Sequence, residues 1–172
     1  MGTIRAICTS DVKGVQKHAV DHVDIDEDWG IEGDAHAGYW HRQVSLLSYE
    51  SIEDFKARGA EVEDGSFGEN LIVEGFDLKH LPLGTQFTCG NGVVLQLTQV
   101  GKECHSHCAI YYAMGECIMP HEGVFCRVLH GGTVRPGDPI EVTRVPTSDE
   151  IARVTAYAQA QAAALKGAPF IA

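Results

Sequence analysis

From residue 65 onward the chain is cut into short runs of strand-forming residues, each closed by glycine, proline or asparagine, and nothing else in it constrains the fold as strongly. The runs are residues 70–73, 85–89, 93–100, 124–129 and 140–145. Short runs with turn residues at regular intervals argue for a β-barrel or sandwich. Upstream, residues 3–8 read as a first strand. Residues 20–25, Val20-Asp21-His22-Val23-Asp24-Ile25, read as a second, half-buried strand, and 43–47 as a third. Cys89-Gly90-Asn91-Gly92-Val93 reads as a hairpin, because Asn-Gly suits a tight primed turn. Two helices interrupt the pattern. The first is short, near residues 49–58: Ser48 can cap it, Ile52 and Phe55 share one face, and Gly59 can end it. The second, near residues 148–165, follows the capping-box sequence Thr147-Ser148-Asp149-Glu150 and stops at Gly167. The expected architecture is mainly β and barrel-like, with the C-terminal helix packed against the barrel. No repeat and no linker divides the chain, so residues 1–172 are expected to form a single domain.

The formal net charge of -11 bears on partners. Nucleic acids and anionic membranes are bound chiefly through basic faces, and no Lys/Arg run exists here, so neither is expected as a partner. An anionic ligand would need a local cluster of cations working against the overall field. The N-terminus carries no apolar segment of signal-peptide length, and the apolar stretches are too interrupted to span a bilayer. A cytoplasmic location is expected. There the six cysteines, at 8, 89, 104, 108, 117 and 126, serve as thiols or metal ligands rather than disulfides.

The densest chemistry lies in Gly101-Lys102-Glu103-Cys104-His105-Ser106-His107-Cys108, directly after the run 93–100. Three readings stay open. Cys104 can be a reactive or persulfide-carrying thiol, its thiolate favoured by Lys102, His105 or His107. The segment can be a metal site, with Cys104, His107 and Cys108 as ligands and Cys117 as a further one; zinc or iron would suit, although no second closely spaced pair stands out. Or the thiols can pack as small hydrophobes, the preferred reading for Cys8, Cys89 and Cys126 inside strand candidates. A second cluster, Asp34, His36, His41 and Arg42, follows the glycine-rich loop Gly30-Ile31-Glu32-Gly33. It suits an anion, since arginine grips phosphate through parallel hydrogen bonds. A third, Gly65-Ser66-Phe67-Gly68-Glu69-Asn70-Leu71, is either a plain turn or a wall that orients a polar ligand.

Taken in order, these segments resemble the MOSC domain family. Gly30 to Gly38 resembles its early motif, Arg42-Gln43-Val44-Ser45-Leu46 the continuation, and Gly65 to Leu71 the central motif. Leu81-Pro82-Leu83-Gly84, Gly101-Lys102-Glu103-Cys104, Glu122 to Leu129, Gly131-Gly132 and Gly137-Asp138-Pro139-Ile140 complete a match over about residues 5–145. The family is similar to the C-terminal domain of molybdenum-cofactor sulfurase. The resemblance implies a barrel-like fold, a pocket for a molybdopterin-type molybdenum cofactor and a cysteine, Cys104, that carries sulfur or engages the metal. The implied cofactor-binding set is His36, His41, Arg42, Asn70 and Cys104; the implied catalytic set is Cys104, Lys102 and His105. No desulfurase domain is present, so sulfur is expected from a cysteine desulfurase or another donor, with a molybdoenzyme as recipient. Two alternatives stand beside this: a non-catalytic zinc or iron protein using the Cys/His cluster, and a molybdenum-dependent reductase of N-hydroxylated compounds. The second is weakened by the lack of the N-terminal domain that accompanies MOSC in the eukaryotic amidoxime reductases.

Overall fold

The computed structural model describes residues 1–104 and 106–167. In chain order the strands are β1 (Gly2–Thr9), β2 (His18–Ala19), β3 (Val23–Asp26), β4 (Gly30–Ile31), β5 (Val44–Ser48), β6 (Leu71–Glu74), β7 (Gln86–Cys89), β8 (Val93–Val100), β9 (Val124–His130), β10 (Gly132–Val134) and β11 (Pro139–Arg144). The helices are α1 (Tyr49–Ala57), α2 (Ala109–Met114), α3 (Met119–Glu122) and α4 (Ser148–Gly167). Seven strands run β1-β6-β5-β9-β8-β7-β11 and close on themselves through Gly2↔Ile140 and Thr3↔Pro139, a barrel with no free edge among these strands. Neighbours pair antiparallel except β5 and β6, which are parallel and are joined by α1 and the loop that follows it. A parallel pair cannot be closed by a hairpin, so this excursion is required. The small sheet β10-β3-β4 adds Val23, Ile25, Ile31 and Val134 to the main core.

Alternation along the strands builds two cores. Val44 and Leu46 of β5, Leu71 and Val73 of β6, and Val124, Cys126 and Val128 of β9 point into the barrel. Their neighbours Leu47, Ile72 and Phe125 point outward, where they meet Ile52 and Phe55 of α1 and Met119 of α3. With both faces covered, β5 is buried along its whole length. Ser48 caps α1, accepting from the Ser51 N–H at 3.3 Å. Thr147 and Glu150 form the reciprocal cap of α4: Glu150 accepts from the Thr147 N–H at 2.8 Å, and Thr147 Oγ1 accepts from the Glu150 N–H at 3.3 Å. Val154 and Ala158 then bury one side of α4, and Tyr157 receives the Arg127 guanidinium 4.9 Å from its ring centre.

Three local expectations change. The single strand expected at 20–25 is divided: β2 pairs with β1, and β3 pairs with β4 and β10, the break falling between Val20 and His22. The connection between β7 and β8 spans three residues, since Cys89 pairs with Val93, and both Gly90 and Gly92 have positive φ. A two-residue primed turn is therefore not what joins them. Finally, α2 and α3 occupy a stretch for which no helix was expected. No helix among the described residues is long and apolar enough to cross a membrane.

Candidate functional site

On the outward face of β5 and β9, Ser45 and Phe125 line a cavity of about 290 Å³. Met119 of α3 and Leu165 of α4 also line it. That volume lies near the lower end for small-molecule sites. Three cationic side chains, Lys13, Arg42 and Lys102, line it together with the imidazole of His36. Among the described residues no carboxylate lines it.

The Arg42 guanidinium lies 4.7 Å from the Trp40 ring centre and 5.5 Å from that of Phe125. These faces favour a cation without neutralising it. Its Nε is buried and has no hydrogen-bond partner among the described residues, and burial pushes its pKa down. Lys102 lies 6.0 Å from the Phe125 ring centre; burial lowers its pKa, and Arg42 pushes in the same direction. Cations crowded together under partial burial repel one another and lack solvent. An anion placed among them would relieve both costs.

Behind this lining lies a buried charge pair. Lys17, fully buried, places Nζ 2.5 Å from Asp34 Oδ1 and 3.0 Å from His36 Nδ1. Asp34 also accepts from the Ser10 N–H at 3.2 Å and from the His36 N–H at 3.1 Å. The loop 65–70 supports this from below. Lys17 N–H donates to Gly65 O at 3.0 Å, and a Cβ on Gly65, whose φ is +89°, would stand 2.1 Å from Lys17 O. Glu69 is fully buried and accepts from the Gly65 and Phe67 N–H groups at 2.7 and 3.0 Å; burial nevertheless pushes its pKa up to about 7. Asn70 ties three strands together. Its Oδ1 accepts from Ser45 N–H and Oγ at 3.1 Å each, and its Nδ2 donates to Cys8 O at 3.1 Å.

Cys104 is exposed and lies beside the cavity, in a shallow recess formed with Glu103, Pro120 and His121. Lys102 lines both spaces and is within electrostatic reach of the Cys104 sulfur.

A family model described as MOSC domain matches residues 33–141, well over half of the chain. The chain belongs to the MOSC domain family. MOSC domains as a family are associated with molybdenum-cofactor binding. This MOSC protein is similar in fold to YuaD of Bacillus subtilis, with a TM-score of 0.70 and 22% identity over 81% of this chain and 94% of that one. It is also similar to YiiM of Geobacillus stearothermophilus (TM-score 0.67, 20% identity, 96% of this chain and 89% of that one) and to YiiM of Escherichia coli (0.62, 21%, 99% and 80%). No curated protein sequence matches the chain.

Within this MOSC barrel the expected binding residues divide. His36, Arg42 and Asn70 line the cavity. His41 does not: it is 1% exposed, its Nε2 lies 2.7 Å from Gln99 Oε1, its Nδ1 has no partner among the described residues, and burial lowers its pKa. It braces β8 behind Arg42. Of the expected metal set, Cys104 and Cys108 are exposed, while His107 stacks on Tyr111 with ring centres 3.6 Å apart. Cys117 packs against the outer core, where burial raises its pKa. Among the described residues, no three His, Cys, Asp or Glu side chains gather closely enough to hold a metal ion. His105 lies outside the described residues. Cys8, Cys89 and Cys126 are buried, and burial pushes all three thiols up, Cys8 and Cys89 to about 12. Sequence reasoning missed Lys13, Lys17, Trp40 and Phe125. The available signals were a tryptophan two residues before Arg42, and two lysines four residues apart in an acidic chain.

Proposed function

We propose that the cavity binds a phosphorylated, pterin-type molybdenum cofactor and that Cys104 serves the bound group from the cavity's edge. One observation carries this reading: in a chain of net charge -11, a small cavity is lined by Lys13, Arg42, Lys102 and His36, and among the described residues no carboxylate lines it and the buried Arg42 Nε has no partner. That donor set fits an anionic group. Arg42 and Lys102 would hold the phosphate, arginine through paired N–H donors and lysine as a point charge. Trp40 and Phe125, which also line the cavity, would give the ligand apolar ring surface to pack beside. When bound, such a cofactor supplies a redox-active, thiophilic metal. Cys104 then has one of two roles. As a ligand, its thiolate sulfur would help to hold the metal. As a carrier, the thiolate attacks the outer sulfur of a persulfide on a separate donor such as a cysteine desulfurase. This forms Cys104–S–SH and releases the donor's thiolate, and the sulfur is destined for a molybdoenzyme.

The test is anaerobic binding of released molybdenum cofactor to the wild-type protein, Cys104→Ala and Arg42→Ala. Loss of a charge-assisted contact in Arg42→Ala should weaken binding about tenfold or more. Binding that also fails in Cys104→Ala assigns the sulfur as a ligand; binding that survives there assigns it as a carrier. Wild-type protein that binds no cofactor overturns the reading.

A further inference from the structure

We propose that Lys17 is a positioning residue that fixes His36 as a neutral hydrogen-bond donor toward the cavity, so that this point of the site selects a ligand atom with a free lone pair, such as a phosphate oxygen. The inference rests on the reading of the cavity as an anion site. It concerns a residue that lies outside the stretch matched by the family, residues 33–141.

The argument is one of donors and acceptors. An ammonium group carries three N–H bonds and no lone pair, so it can only donate. Lys17 Nζ lies 3.0 Å from His36 Nδ1, so Nδ1 must accept, and the ring proton resides on Nε2. Nδ1 faces the buried lysine, and His36 lines the cavity, so the opposite edge, with Nε2–H, is the one offered to a ligand. The geometry is held from several sides. Asp34 grips Lys17 Nζ at 2.5 Å and the His36 N–H at 3.1 Å, so one carboxylate fixes the lysine and the histidine backbone together. Trp40 Nε1 donates to His36 O at 2.8 Å and fixes the other end of the residue. Protonating the ring would set an Nδ1–H against an ammonium. Burial, Lys17, Lys102 and Lys13 all oppose that charge and only Asp34 favours it, which holds the pKa of His36 down to about 4. His36 therefore adds direction to the cavity and no charge. A ligand atom that bears hydrogen and has no lone pair to offer, such as an ammonium or amide N–H, would leave two donors facing each other, a mismatch that costs far more than a lost contact.

The test reads the ring itself. Two-bond ¹⁵N–¹H correlation spectra of ¹⁵N-labelled protein, with His36 assigned by its disappearance in His36→Gln, should show an unprotonated Nδ1 and a protonated Nε2 throughout pH 5–8. Inorganic phosphate should shift the Nε2–H signal. In the paired variant Lys17→Met/Asp34→Asn, which avoids an unpaired buried charge, both tautomers should appear and His36 should titrate closer to 6.5. His36→Gln, which keeps a donor near the Nε2 position, should hold phosphate within about twofold, whereas His36→Leu should weaken it about threefold to tenfold, the worth of one neutral hydrogen bond. If the paired variant does not fold, the wild-type spectra and the two His36 variants still decide. A wild-type Nδ1–H tautomer, ordinary titration near 6.5, or phosphate that leaves Nε2–H unmoved overturns the proposal. A cavity that shifts His36 with phosphate but takes up no molybdenum cofactor overturns only the cofactor reading. Cofactor bound beside an Nδ1–H tautomer overturns only this one.

Discussion

Glu69 and His36 pull the stability of the fold in opposite directions as pH changes. The carboxyl of Glu69 is raised by burial to about 7 in the folded protein, from 4.5. Between pH 4.5 and 7 the folded state therefore holds more of this proton than the unfolded state, and stability falls as pH rises through that window. His36 is lowered, chiefly by burial, to about 4 from 6.5. Between pH 4 and 6.5 the unfolded state holds more of that proton, so stability is lost as pH falls through that window. The two slopes overlap between 4.5 and 6.5 and partly cancel there. Urea unfolding measured across pH 4–8 should show Glu69→Gln losing the decline toward neutral pH and His36→Gln losing the decline toward acid. Variants whose profiles both follow the wild type would mean that neither group is perturbed in the folded state. Gly65 belongs to the same scale. Its missing side chain lets the loop approach Lys17 O closely, and that approach holds the cation against Asp34.

At the scale of elements, α1 shows what the sequence made legible. The spacing of Ser48, Ile52, Phe55 and Gly59 is enough to place a helix, and the structure has one at Tyr49–Ala57 with Ser48 as its cap. Ser48→Ala should cost about 1 kcal/mol in urea unfolding, because a helix N–H loses its acceptor while Ile52 and Phe55 stay packed on the barrel. An unchanged midpoint would mean that packing alone holds the helix. Strands were readable for a similar reason: runs such as residues 93–100 are closed by glycine and carry their own pattern. The two-residue strand β4 was not readable, because it exists only through Ile25↔Ile31 and Asp26↔Gly30. Nor were α2 and α3, whose six and four residues are too few to show a helical period. The site divides along the same line. Arg42 and Lys102 announce themselves as cations beside glycine-bounded loops. Lys17 does not, since nothing local foretells that a lysine will be fully buried against an aspartate 17 residues away. His41 misled because its neighbour Arg42 faces the cavity while its own ring turns to Gln99.

At the scale of the molecule, the barrel is unevenly sewn. The β8–β9 ladder runs from Val94↔His130 to Val100↔Val124, whereas β1 and β11 meet at Gly2↔Ile140 and Thr3↔Pro139 alone. Proline has no N–H to give, and beyond these pairs the seam is carried on by Ile4 N–H to Asp138 O at 3.0 Å and Gly137 N–H to Ile4 O at 2.7 Å, leaving it far shorter than the β8–β9 ladder. Hydrogen exchange should therefore open the β1–β11 seam well before the β8–β9 ladder; equal protection at the two would mean that the barrel opens only as a unit. The cavity has its own long reach along the chain. Its lining begins at Lys13 and ends at Leu165, within the last turns of α4. During synthesis, the first cations and the loop that carries Cys104 emerge long before the residue that completes the wall. A chain that has folded its barrel but not yet docked α4 therefore presents an unfinished wall, whatever else of the cavity has formed.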